Sequence, residues 1–197
     1  MSLLWSFVEW PAVYFIHYLY IPGSPLRAVY LFCFGGETMS FISLIADQQM
    51  ISMMSDSQGT DSNMIAVSHG IKKIHRIDNR LIGIVGDHTE AQEIVARIKR
   101  GLVYDDAIKS CVVLIAEYIA GTMRVTKTDR NRKLISFGKV YDALVPFDCG
   151  LDVVNMLKTT SISQRERQLI QKQVNDLVSA NSYSVDTYTQ FEVLTNE

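Results

Sequence analysis

The chain has 197 residues, a formal net charge of -2 and 48% hydrophobic residues. That length supports one good-sized domain with its own core, and the balance leaves no bulk positive charge for binding nucleic acid. Four scattered histidines and three widely spaced cysteines offer no compact metal-ligand spacing, so neither a metal nor a cofactor is expected.

The first 38 residues stand apart, holding 10 of the 19 aromatics and no lysine. Their apolar run lacks a basic leading region, is interrupted by Glu9 and Pro11, and closes at Pro22, Gly23 and Pro25. An export signal or membrane span is therefore not expected; a membrane-anchored protein is the alternative only if residues 1–22 are retained. The codons for Gly35-Gly36-Glu37 can supply a purine-rich ribosome-binding sequence ahead of Met39. The expectation is a leader over 1–38, mis-assigned or removed, and a working domain over 39–197. Removal of Met39 exposes Ser40, and a free α-amine beside a hydroxyl is a known nucleophile arrangement.

Residues 41–45 and 50–54 read as a hairpin turned at Asp47-Gln48-Gln49. Residues 55–63 are loop by composition, 64–77 a pair of short strands turned at Ser68-His69-Gly70, and 81–85 a strand with Gly83 inside it. Asp87 and Glu90 have capping-box spacing ahead of a helix whose apolar face is Ala91, Ile94, Val95 and Ile98, with basic residues before Gly101. A second, largely apolar helix is predicted over Tyr104–Ala120. A charged turn over 127–133 precedes a strand at 134–137, a stretch at 141–147 and the turn Asp148-Cys149-Gly150. A short helix follows over Asp152–Leu157. The last helix starts from the Ser163/Glu166 cap, with Leu169, Ile170, Val174, Leu177 and Val178 as its core stripe, and a terminal strand closes the chain. Sheets covered by helices in one α+β domain result.

The run from "SDSQGT" to "GIKKIHRIDNRLIGIVGDHTEAQ" resembles the proteasome β-subunit group of N-terminal nucleophile hydrolases, which includes the bacterial two-component ATP-dependent peptidases. The resemblance implies a four-layer αββα sandwich and amide-bond hydrolysis by a serine- or threonine-type peptidase. It also implies a cytoplasmic homo-oligomeric ring, an ATPase unfoldase partner, and peptide or protein substrates. On the matching positions it implies Ser40 as nucleophile, with Thr38 as the alternative, Asp56 and Lys73 as its catalytic partners and Gly83 as the oxyanion donor. With Ser40 first, Asp56 is the seventeenth residue of the mature chain, the family's position; Lys73 comes one place later than usual.

The match is good over 40–100 and rests on element order afterwards. The family's serine turn is replaced by one with Cys149 in the serine's place, a weaker donor. Ser182, Ser184 or Asp186 stands where the family has its later Asp/Ser/Gly turn. The segment between the charged turn and Cys149 is shortened, which would remove much of a hairpin. A non-catalytic structural or peptide-binding subunit is the competing expectation.

Overall fold

The computed structural model describes residues 40–60, 65–146, 148–158 and 163–196. Eleven strands and three helices follow in chain order among them. The first hairpin forms as its two apolar runs and polar turn predict: β1 (Ile42–Ala46) and β2 (Met50–Asp56) pair antiparallel with Ile42 opposite Ser55. Asp47 makes the turn, its Oδ1 accepting the N–H groups of Gln49 and Met50 at 2.9 and 3.0 Å. The two short strands β3 (Gly59–Thr60) and β4 (Ala66–Ser68) form a small hairpin of their own. Then come β5 (Ile74–Ile77) and β6 (Arg80–Val85), joined at Asp78-Asn79.

Helix α1 (His88–Lys99) starts at Asp87, whose Oδ1 accepts the Glu90 N–H at 2.8 Å. It ends at Gly101, φ +69°, where the Gly101 and Leu102 amides return to the Ile98 and Arg97 carbonyls. The Glu90 carboxylate does not close a capping box. It accepts the N–H groups of Lys109, Ser110 and Cys111 at 2.8–3.1 Å and so ties α1 to the start of the next strand.

The predicted helix over 104–120 is not one. A single 3-10 turn at Asp105–Ala107 precedes β7 (Val112–Ile119), and β8 (Thr122–Thr128) and β9 (Lys133–Phe137) complete the sheet β5-β6-β7-β8-β9. The physical reason is burial on both faces: Val112–Ala116 is covered throughout, so the run lacks the alternation that marks a half-exposed strand. Gly138 and Lys139 carry the chain from β9 to β10 (Val140–Leu144), which joins the other sheet, β10-β1-β2-β11. The two five-residue strands lie in different sheets and do not pair with each other as a hairpin. Helix α2 (Val153–Leu157), capped by Asp152, α3 (Gln164–Asn181), capped by Ser163, and β11 (Thr189–Thr195) finish the chain.

Three apolar clusters define four layers. Ile42, Leu44, Met53, Ile74, Leu81 and Leu114 fill the space between the sheets. Ile94, Val95 and Ile98 of α1 pack on Ile82, Ile84, Val113 and Ile115. Val174 and Val178 of α3 pack with Phe41, Ile45, Cys149 and Val153.

The α3 stripe is rotated from the predicted one. Leu169 and Leu177 are 57% and 46% exposed, whereas Arg167, Gln171 and Asn175 are fully buried with Val174 and Val178. The polar three point at backbone. Arg167 donates to the carbonyls of Ile45 and Met50 and pairs with Asp47; Gln171 donates to the Ser43 carbonyl at 3.0 Å; Asn175 donates to the Asp186 carbonyl at 3.0 Å. Among the described residues no helix is long and apolar enough to cross a membrane, and no metal-ligating cluster forms.

Candidate active site

Asp56 ends β2 with its carboxylate wholly inside the protein. Its Oδ1 accepts the Phe41 N–H at 2.8 Å, and its Oδ2 accepts the Gln58 N–H at 3.0 Å and the Lys73 Nζ at 2.7 Å. Lys73, 5% exposed, precedes β5, while its neighbour Lys72 lies at the surface. Burial raises the Asp56 carboxyl above its usual range and lowers the Lys73 ammonium, and the mutual attraction of the pair opposes both shifts. Ser40, half-buried, immediately precedes the residue Asp56 holds. The structure therefore brings Ser40, Asp56 and Lys73 into one region. Thr38 lies outside the described residues.

The lysine backbone is held from a distant strand. Gln190 of β11 accepts the Lys73 N–H at 3.0 Å through Oε1 and donates to the Ile71 carbonyl through Nε2. Asp186, 9% exposed, accepts the Ser57 N–H at 3.1 Å and the Ser57 hydroxyl at 3.2 Å, and lies 3.2 Å from His69 Nδ1. Its charge also favours protonated Lys73. Asp186 thus belongs to the site region. Gln190, Ser57 and His69 escape a sequence reading because they meet only through contacts more than a hundred residues long in Gln190 and Asp186. The serine run beside Asp56 is the one local hint.

Ser182 and Ser184 form a separate link. Their hydroxyls lie 2.9 Å apart, and Ser182 donates to Asp148 Oδ1 at 2.8 Å. Cys149, expected in a serine's place, packs in the apolar cluster with Phe41 and Val185, and burial pushes its thiol up. The polar link from this turn runs through Asp148 instead.

Gly83 also departs from expectation. The Ile84 N–H donates to the Lys73 carbonyl at 3.0 Å, and amides alternate sides along a strand. The Gly83 N–H therefore faces β7, opposite Leu114, within the sheet ladder. What the position requires is the absence of a side chain: a Cβ there would lie 2.8 Å from Met53 Sδ and 3.0 Å from Ile42 Cδ1.

No protein-family model matches the chain, and no curated protein sequence does. Solved structures do. Anbu (ancestral beta-subunit) from Yersinia bercovieri superposes with a TM-score of 0.65 at 11% identity, over 79% of this chain and 81% of that one. Eukaryotic HslV from Trypanosoma brucei superposes with a TM-score of 0.60 at 12% identity, over 79% of this chain and 99% of that one. The chain shares the α+β sandwich fold of these two proteins. At such identities the likeness carries the α+β sandwich and nothing finer.

Proposed function

We propose that the protein is an amide-bond hydrolase, a peptidase, whose mature chain begins at Ser40. The single observation that carries the reading is the double grip of Asp56. One carboxylate oxygen fixes the amide that follows Ser40, and the other fixes Lys73, so the carboxylate ties the nucleophile's peptide to the cation.

In this reading the Ser40 hydroxyl attacks the substrate carbonyl as its proton passes to the Ser40 α-amine, directly or through a water. Lys73, kept protonated by Asp56 and Asp186, lowers the cost of the alkoxide and keeps the α-amine in its basic, neutral form. Gln190 is a positioning residue for Lys73. An ordinary amide cannot accept that proton, so Ser40 inside a peptide bond is inert. The proteasome-like ring, an ATPase unfoldase partner, protein substrates and a cytoplasmic location come to this chain from the resemblance alone and are part of the proposal.

A second reading is favoured by one observation. The Gly83 N–H faces β7 within the ladder, which speaks against the oxyanion role the resemblance gives it. A non-catalytic structural or peptide-binding subunit accommodates that.

The deciding experiment uses protein processed to begin at Ser40 and a peptide epoxyketone, which captures hydroxyl and amine together. The expected result is an adduct on the N-terminal peptide by mass spectrometry, with far less when an additional residue precedes Ser40. Folded protein with a free Ser40 amine and no adduct overturns the catalytic reading in favour of the second.

A further inference from the structure

The outer strand of the five-stranded sheet, β9, pairs only with β8 among the described residues. All five of its residues are exposed, with Leu134, Ile135 and Phe137 at 46%, 51% and 62%. The register shows which backbone groups face outward. The Asp129 N–H donates to the Arg132 carbonyl at 3.0 Å, so the ladder alternates from a bonded pair there. Lys127/Leu134 and Val125/Ser136 are then bonded pairs, and the N–H and C=O groups of Lys133, Ile135 and Phe137 point away from β8. An edge of this kind is a template for another strand unless proline, charge or a bulge blunts it. β9 has no proline, and its one charge is at its first residue.

The surroundings select the occupant. Arg130, Arg132, Lys133 and Lys139 flank the strand against two carboxylates, Asp129 and Asp105, the latter paired with Lys133 at 2.9 Å, on a chain whose net charge is -2. Beside β9 lies a hollow of about 280 Å³ lined by Arg80, Tyr104, Glu117, Arg124, Lys133 and Ile135, three cations to one carboxylate. Antiparallel pairing of β9 with a second copy about Ile135 would set Lys139 of each copy between Arg130 and Arg132 of the other. Like charges so placed oppose self-pairing.

We propose that β9 accepts an extended acidic segment of another protein as a sixth strand of this sheet. Backbone groups of Lys133, Ile135 and Phe137 pair with the added strand. Apolar side chains of that strand lie beside Ile135 and Phe137, and its carboxylates meet the basic strand ends and the cationic hollow. This surface is independent of any chemistry at Ser40.

The test is fluorescence anisotropy with a labelled, end-capped peptide of alternating glutamate and valine. Saturable binding that weakens as salt is raised is expected, and the same peptide with lysine for glutamate should not bind. Ile135→Pro removes an outward N–H without breaking a bond to β8; it should keep the fold by circular dichroism and weaken binding by about tenfold or more. Lys133→Glu should weaken it similarly, and decides the matter alone if Ile135→Pro does not fold. Equal binding by both variants, or indifference to peptide charge, overturns the proposal. Concentration-dependent dimerisation abolished by Ile135→Pro overturns it in favour of a second copy.

Discussion

Asp56 and Phe41 are joined twice: the Phe41 N–H donates to Asp56 Oδ1 at 2.8 Å, and the Asp56 N–H donates to the Phe41 carbonyl at 3.3 Å. The first bond is charge-assisted and therefore shorter. Together they fix the end of β2 against the residue after Ser40, so movement of the carboxylate would move Phe41.

Lys73→Ala should lower epoxyketone labelling and peptide hydrolysis by several orders of magnitude in rate. It also strands a buried carboxylate, at an expected stability cost of about 3–5 kcal/mol. Asp56→Asn with Lys73→Met should recover much of that stability, measured by urea midpoint, without restoring labelling. Lys72→Ala, at the surface, should move stability by less than about 0.5 kcal/mol and keep activity. Equal losses from Lys72→Ala and Lys73→Ala would remove Lys73 from the mechanism.

The rotated face of α3 predicts an inverted sensitivity. Leu169→Ser and Leu177→Ser should each change stability by less than about 0.5 kcal/mol. Arg167→Ala should cost about 3 kcal/mol or more, because it removes the buried cation paired with Asp47 and one donor each from the Ile45 and Met50 carbonyls. Thermal melts of the three variants check the order; a costly Leu177→Ser would restore the predicted stripe.

Gly86→Ala should be worse tolerated than Gly83→Ala. At Gly86, φ is +122° and an added Cβ would sit 2.8 Å from the Cys111 Cα, which is backbone and cannot turn aside. At Gly83 the obstacles are the side chains of Met53 and Ile42, so repacking limits the expected cost to about 1–3 kcal/mol. Met53→Ala should partly rescue Gly83→Ala and leave Gly86→Ala unchanged, as denaturant midpoints would show.

Acid should weaken the junction between α1 and β7. Burial acts to raise the Glu90 carboxyl, but the Lys109, Cys111 and Ser110 amides outweigh it and hold it below its ordinary 4.5. A depressed carboxylate stabilises fully above its unfolded value, and that contribution disappears as pH falls through the folded one. Glu90→Gln should therefore be less stable than wild type at pH 7, with the gap closing below about pH 4.5. Asp47, also held low, behaves alike in both proteins, and raised Asp56 acts in the opposite sense in both. The wild-type-minus-variant difference isolates Glu90, and a gap independent of pH would exclude this role.

Local chemistry determined much of this protein. The β1–β2 hairpin with its Asp47 turn, the Asp87 and Ser163 caps and the Gly101 stop of α1 all depend on residues close in sequence, so they are legible there. Tertiary structure decided the rest. Residues 112–116 became a strand because both faces are buried, by α1 on one side and the other sheet on the other, a circumstance that erases periodicity. The buried face of α3 carries Arg167 and Gln171, which donate to carbonyl groups of β1 and β2, a pairing invisible when apolar residues are counted along one helix. Gln190 and Asp186 joined the site for the same reason: a hydrogen bond requires two groups within about 3 Å, and only folding sets that distance for residues far apart in the chain.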